Sequence, residues 1–327
     1  MGAGHPERPE RIVAIEHALA ARDWLGAQRI EAPLVDRALL TAVHSRRHVE
    51  AIEALSASGG GTIDADTSAS AGTFEAAMHA AGGAARMVDL LLGGDSRVAF
   101  CGLRPPGHHA DRERAMGFCF FNNVAVAARR ALAAHGLRRV FVLDWDVHHG
   151  NGTNDIFHAS AEVLYASIHQ SPLYPGTGSQ DDTGRGPGAG YTINLPVPAG
   201  AGDETWCSLV EHVIAPVARA WEAELVLISA GYDAHRDDPL ADGMVTDEGY
   251  AEMTTTMRRV ADELGVPLGV VLEGGYNLQA LAGGVVATLE ILAADRVPST
   301  RPAAVHPLAT GAAARLQGRW PALARVA

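Results

Sequence analysis

The chain has 327 residues, 47% of them hydrophobic, with a net charge of −12 and a pI near 5.6; that supplies one large core, and with no run of Lys and Arg it argues against binding nucleic acid by charge. Three scattered cysteines, Cys101, Cys119 and Cys207, make no disulfide framework. The opening MGAGHPERPERI holds no apolar signal core and no apolar run reaches membrane-span length, so the chain reads as a cytoplasmic protein with no membrane partner.

In chain order, helical periodicity first appears over 74–92, followed by the apolar run VAFC at 98–101 and then GLRPPGHHA. A helical stretch at 123–135 leads to VFVL at 140–143 and DWDVHHGNG, and VLYASI at 163–168 follows. The segment 170–190 is irregular and too long for an ordinary connection, which points to a functional rim. Next come a helix over 204–222, LVLI at 225–228 with SAGYDAHRDDP, a helix over 247–264, LGVVL at 268–272 with EGGYN, and a helix over 278–293. Short β-branched runs alternating with helices predict an α/β fold in which a parallel sheet is flanked by helices on both faces. The chain reads as a single domain over 1–327 with its core in 5–293, and the tail 294–327, rich in Ala, Pro and Arg, is expected to wrap the surface.

Polar motifs follow four of the five strands, and in open α/β sheets ligands gather outside the carboxyl ends of strands. If 144–148 is extended, Asp144, Asp146 and His148 share one face and Trp145, Val147 and His149 the other. An Asp and a His two apart, joined by Asp233 from another strand end, would make a divalent-cation site with an open corner. That set suits Zn²⁺ and would also accept Fe²⁺, Co²⁺ or Mn²⁺. Alone, D-x-D-x-H fits a polar loop with capped aspartates equally well; the other strand ends decide against that.

His108 and His109 sit on a Pro-Pro-Gly turn and read as acid/base machinery. An imidazole paired with a carboxylate stays charged, whereas one paired with a neutral amide can accept a proton. Asp144 and Asn151 are the candidate partners of each kind. Tyr276, in EGGYN, can donate to an oxyanion that a metal stabilises from the other side. Phe118 in GFCFFNN and Tyr174 in PLYPG are aromatics on loops that could wall a narrow tunnel.

Taken together, HPERPERI, RPPGHHA, GFCFFNN, LDWDVHHGNGT, SIHQ, PGTG, SAGYDAHRDDPL and LEGGYN, in this order over roughly 5–293, resemble the histone deacetylase family, including its bacterial deacetylase-like, acetoin-utilisation and acetylpolyamine amidohydrolase relatives. The resemblance implies an arginase/deacetylase-like fold and a zinc amidohydrolase with Asp146, His148 and Asp233 on the metal. It implies His109 as general base and acid, His108 as its electrostatic partner beside Asp144, Asn151 as partner of His109, and Tyr276 as donor to the tetrahedral intermediate. Gly117, Phe118 and Tyr174 would flank an acyl-lysine tunnel, with Leu240 at its wall or mouth. A structural K⁺ would sit at Asp144, Asp146, His148, Ser167 and Ile168, several through backbone oxygens, and Arg11 matches an arginine beside an internal product channel.

The resemblance departs from the family in three places. Asn151 stands where some branches carry Asp, which fits the class II-like branch. The chain opens almost at HPERPER, where relatives carry a preceding strand. Polyamine-selective relatives place a carboxylate at the position of Leu240, so Leu240 tilts the reading towards acylated lysine over an acetylpolyamine or other small acylated amine, although Asp237 and Asp242 could attract cations. Asp66, in DADTSAS, is either a rim contact for substrate backbone or a solvated loop carboxylate. Two rival readings are a binuclear manganese ureohydrolase, which metal stoichiometry separates, and a non-catalytic acyl-lysine binder, which turnover separates. The sequence leaves the oligomeric state open.

Overall fold

The structure, a computed structural model, describes residues 4–298 and 302–326. Helices α1 (Glu10–Ala20), α2 (Arg37–Val43) and α3 (Arg46–Ala57) precede a hairpin of β1 (Gly60–Thr62) and β2 (Ser68–Ser70), then α4 (Thr73–Leu92) and β3 (Val98–Cys101). After these come α5 (Asn123–His135), β4 (Val140–Asp144), α6 (Asn151–Phe157), β5 (Val163–Gln170), β6 (Thr192–Val197), α7 (Asp203–Leu209) and α8 (Ala215–Ala220). The chain continues through β7 (Leu225–Ala230), α9 (Asp247–Leu264), β8 (Leu268–Leu272), α10 (Leu278–Ala293) and α11 (Pro307–Leu316). Among the described residues no helix is long and apolar enough to cross a membrane.

The main sheet has six strands in the order β3-β8-β7-β4-β5-β6, and every pairing is parallel. The central strands feed alternate side chains to two cores. Phe141 and Leu143 of β4 and Val226 and Ile228 of β7 face one of them, with α7 to α11. Val140, Val142, Leu225 and Leu227 face the other, with α2 to α5. The chain builds outward from β4 through β5 to β6, then returns to place β7 on the opposite flank of β4. That reversal opens a crevice at the carboxyl ends of β4 and β7. Asp144, Asp146 and His148 leave one of these ends, and Asp233 leaves the other.

The five expected strands and the helices at 74–92, 123–135, 247–264 and 278–293 are present. Four features differ from the sequence reading. β6 is not among the expected strands, because TINLPV carries a proline; as an edge strand of the sheet it tolerates one. Helices α1 to α3 and α6 and the β1–β2 hairpin also lie outside the expected elements. The single helix expected over 204–222 is instead α7 and α8 joined by a wider π turn at Val210–Ile214. Pro216 has no N–H to give the carbonyl of His212, so the regular ladder cannot run through.

The tail expected on the surface is the fourth difference. His306 caps α11, and Ala309, Ala313 and Leu323 are fully buried against the α7–α9 side, with Trp320 close to it. Small residues spaced along a helix give a weak apolar signal in sequence, yet they let that helix approach closely.

Candidate active site

β4 ends at Asp144 rather than continuing as extended chain, because carboxylates take the next amides. Asp144 Oδ1 accepts the Asp146 N–H (3.2 Å), Asp233 Oδ1 that of Val147 (3.0 Å), and Asp146 Oδ1 that of His148 (2.9 Å). The two-sided alternation survives: Trp145 and Val147 enter the core while the three polar side chains turn to the crevice. His149, on the other side, is buried against Tyr165 and His169.

Asp146, His148 and Asp233 offer ligand atoms that all lie within 4.8 Å of one another, and all three are buried. His148 Nδ1 is 3.1 Å from both Asp146 Oδ1 and Asp233 Oδ2. Burial opposes a charge on this imidazole, but the two carboxylates outweigh it and push His148 up to about 10. Burial and the neighbouring Asp146 charge raise Asp233 to about 7. A field that holds a buried imidazole protonated is one that a dication would neutralise, and two carboxylates with one nitrogen fit such an ion. The backbone yields to this cluster: a Cβ on Gly274 would stand 2.1 Å from Asp233 Oδ2, and the Gly274 N–H donates to Asp146 Oδ2 (2.9 Å).

The histidine pair divides as its partners dictate. His108 Nδ1 donates to Asp144 Oδ2 (3.1 Å), while His109 Nδ1 donates to the amide oxygen of Asn151 (2.9 Å). Burial works against the His108 charge, yet Asp146 and Asp144 raise it to about 10. Burial, then the positive His108 and His148, push His109 well below the usual histidine value. One imidazole is therefore held as a cation and the other as a neutral base. Tyr165, which no sequence signal marked inside its apolar run, donates from its hydroxyl to the same Asp144 Oδ2 (3.0 Å).

The turn bearing Tyr276 is clamped on several sides. Arg11, fully buried, donates to the carbonyls of Gly275 (2.7 Å) and Glu273, and its guanidinium carbon lies 5.0 Å from the Tyr276 ring centre. Glu7 pairs with Arg11 and with Arg104. Asp238 accepts the amides of Tyr276 (2.6 Å) and Asn277 on one oxygen and that of Leu240 (3.0 Å) on the other. Leu240, partly exposed, is thus tied to the tyrosine turn. Burial keeps the Tyr276 hydroxyl protonated far above neutrality. Asp238 belongs to SAGYDAHRDDPL, but its service to distant amides has no mark in sequence.

Aromatic walls stand around these groups. The Tyr174 ring centre is 5.2 Å from His109 and 6.3 Å from His148, and the Phe118 ring centre is 5.7 Å from Tyr276, each edge-on. Gly117 (φ +55°) passes so close that a Cβ would meet the His109 ring at 2.4 Å. Phe118 itself sits at φ 69°, in the left-handed region that costs a non-glycine residue. His5, the first residue of HPERPERI, packs 4.6 Å from Phe118 and bonds to the Asp66 carbonyl. Asp66 is exposed, and its carboxylate takes the Thr67 hydroxyl (3.0 Å). Ser167 and Ile168 are buried on β5, where Ser167 stands in register with Asp144.

A second buried group, His108, Cys119 and Glu273, also converges within 4.8 Å. Its donors are already committed, since Glu273 accepts backbone amides and burial keeps the Cys119 thiol protonated. Cys101, Cys119 and Cys207 are all unpaired and buried.

The histone deacetylase domain profile matches residues 5–292. Histone deacetylase 15 of Arabidopsis thaliana is 39% identical over 313 residues, covering 94% of this chain and 56% of that protein, so the chain spans little more than half the length of that relative. A histone deacetylase-like amidohydrolase of Pseudomonas aeruginosa is 36% identical over 279 residues, covering 84% of this chain and 73% of that one. The crystal structure of the HDA15 HD domain superposes with a TM-score of 0.91 at 38% identity, covering 100% of this chain and 94% of that chain.

Proposed function

The chain belongs to the histone deacetylase family, and on that footing we propose that it hydrolyses the acyl amide of an acylated lysine side chain, releasing a short carboxylic acid, foremost acetate, and a free amine. One observation carries the reading. Two adjacent imidazoles, one paired with Asp144 and one with Asn151, stand beside a convergent Asp-His-Asp set and a buried tyrosine hydroxyl.

Asp146, His148 and Asp233 would hold Zn²⁺, with Fe²⁺ or Co²⁺ as alternatives, and the ion supplies Lewis acidity towards water and the amide carbonyl. His109, neutral and oriented through Nδ1 by Asn151, presents Nε2 to take a proton from the attacking water. The same nitrogen then returns that proton to the leaving amine. His108, held as a cation beside Asp144, stabilises the negative charge that develops next to it. Tyr276 donates its hydroxyl hydrogen to the oxyanion from a fixed turn. Gly117, Phe118 and Tyr174 exclude water around an extended acyl-lysyl chain, and Leu240 lines the same approach. Asp66 would hold substrate backbone at the rim. A structural K⁺ is proposed at Asp144, Asp146, His148, Ser167 and Ile168, supported by the register of Asp144 with Ser167. Reduced, buried thiols suit work in the cytoplasm.

The test is parallel hydrolysis of acetyl-lysine peptides and acetylated polyamines after restoring Zn²⁺, Fe²⁺ or Co²⁺ to metal-free protein. The expected result is faster turnover of the peptides. Preference for the polyamines would overturn the substrate class, and no turnover of any acylated amine would overturn the reaction.

A further inference from the structure

Glu273 is fully buried at the end of β8, three residues before Tyr276, and nothing in the proposed reaction uses it. Its side chain reaches across to the Pro-Pro-Gly-His-His turn. Oε2 accepts both the Gly107 N–H (2.6 Å) and the His108 N–H (3.0 Å), and Oε1 accepts the Ser229 hydroxyl (3.2 Å). Its own backbone is pinned as well: its N–H donates to the Ala230 carbonyl (2.9 Å), and its carbonyl takes the Arg11 guanidinium. The histidine turn leaves β3 and the tyrosine turn leaves β8. These strands are neighbours in the sheet, but their register fixes only residues up to Cys101 and Val271. Beyond that point the two turns diverge as loops, and the Glu273 side chain spans the gap between them.

We propose that Glu273 is a positioning residue that sets the histidine pair in register with the tyrosine turn. It takes no part in proton transfer and touches no substrate; it acts through the backbone of Gly107 and His108. The geometry makes reach, not charge, the requirement. Glutamine can keep its amide oxygen on the two N–H groups and turn its NH₂ to the Ser229 oxygen. Aspartate keeps the charge but withdraws the oxygens by one methylene, leaving two buried amides unpaired. The catalytic consequence rests on the deacylase reading, and the placement of the turn does not.

The experiment compares Glu273→Gln and Glu273→Asp with the wild type by hydrogen–deuterium exchange and steady-state kinetics, on holoprotein whose metal content and melting temperature are recorded. The expected result is that E273D loses amide protection over 107–109 and at least tenfold in kcat with KM changed less than threefold. E273Q should keep both protection and kcat within about threefold. Unchanged protection in E273D overturns the proposal. So does an E273Q variant as impaired as E273D, because charge would then be the requirement. Protection following this pattern in a protein that turns over no acylated amine supports the clamp and rejects the deacylase reading.

Discussion

The Nδ1–H of His109 is spent on the amide oxygen of Asn151 at 2.9 Å, which leaves Nε2 as an unprotonated lone pair facing the crevice. Burial and two nearby imidazolium charges hold His109 below its ordinary value, so it is neutral at neutral pH and becomes protonated only as the solution turns acid. Asn151→Asp would place a carboxylate against the same nitrogen and favour the charged ring. The expected outcome is that the acid limb of kcat/KM moves to higher pH in the variant. A pH–rate profile checks this, and an unmoved limb would remove His109 as the base.

Tyr276→Phe should fold as the wild type does, because the ring keeps its contacts with Phe118 and Arg11. Loss of one oxyanion donor lowers kcat by about 10²- to 10³-fold. Steady-state kinetics beside a melting curve make the measurement. Turnover within a few-fold of wild type would deny the hydroxyl its role.

Metal content separates the ligands from the base. Asp233→Ala removes one of three convergent donors and should strip the divalent ion, whereas His109→Ala should abolish turnover with one ion per chain retained. Elemental analysis of both purified variants decides it. Two ions per wild-type chain would favour the binuclear chemistry of a ureohydrolase.

Away from the crevice, His44 is committed to its neutral form. Nδ1–H donates to the Asp111 carbonyl (2.8 Å) and Nε2 accepts the Asn122 N–H (2.8 Å). Burial, then the neighbouring His48, lowers His44 from 6.5 to about 3. Between these values the unfolded chain binds a proton that the folded chain refuses. This contribution is therefore complete above pH 6.5 and is lost as pH falls towards 3, at roughly 1.4 kcal/mol per pH unit. Urea denaturation at pH 7.5 and 5.0 should show His44→Asn less stable at the higher pH but less sensitive to acidification. Equal acid sensitivity in the two proteins would contradict this account.

Much of the crevice was legible because each chemical motif directly follows a β-branched run, and the parallel-sheet rule carries such motifs to one edge. Asp146, His148 and Asp233 meet there although 144–148 is not the extended segment that first grouped them. The partners Asp144 and Asn151 could be named because charge and neutrality have different consequences for an imidazole. The roles of Glu273, Asp238 and Tyr165 are illegible in sequence for one shared reason. They serve backbone amides or a carboxylate distant in sequence, and neither periodicity nor spacing records such service. β6 and α11 were missed because a proline and a run of alanines weaken the apolar signal, while their burial depends on neighbours far along the chain.

α11 has a bearing on solubility. β6 is one of the two edge strands of the sheet, where main-chain groups could template pairing with another polypeptide. Arg315 spends one nitrogen on the Asn194 carbonyl of that strand and another on Gln180, while Trp320 closes over Tyr191 beside it. The segment around α11 thus covers part of that sheet edge, and a substitution that dislodged it is expected to bare those main-chain groups and lower solubility, well away from any chemistry.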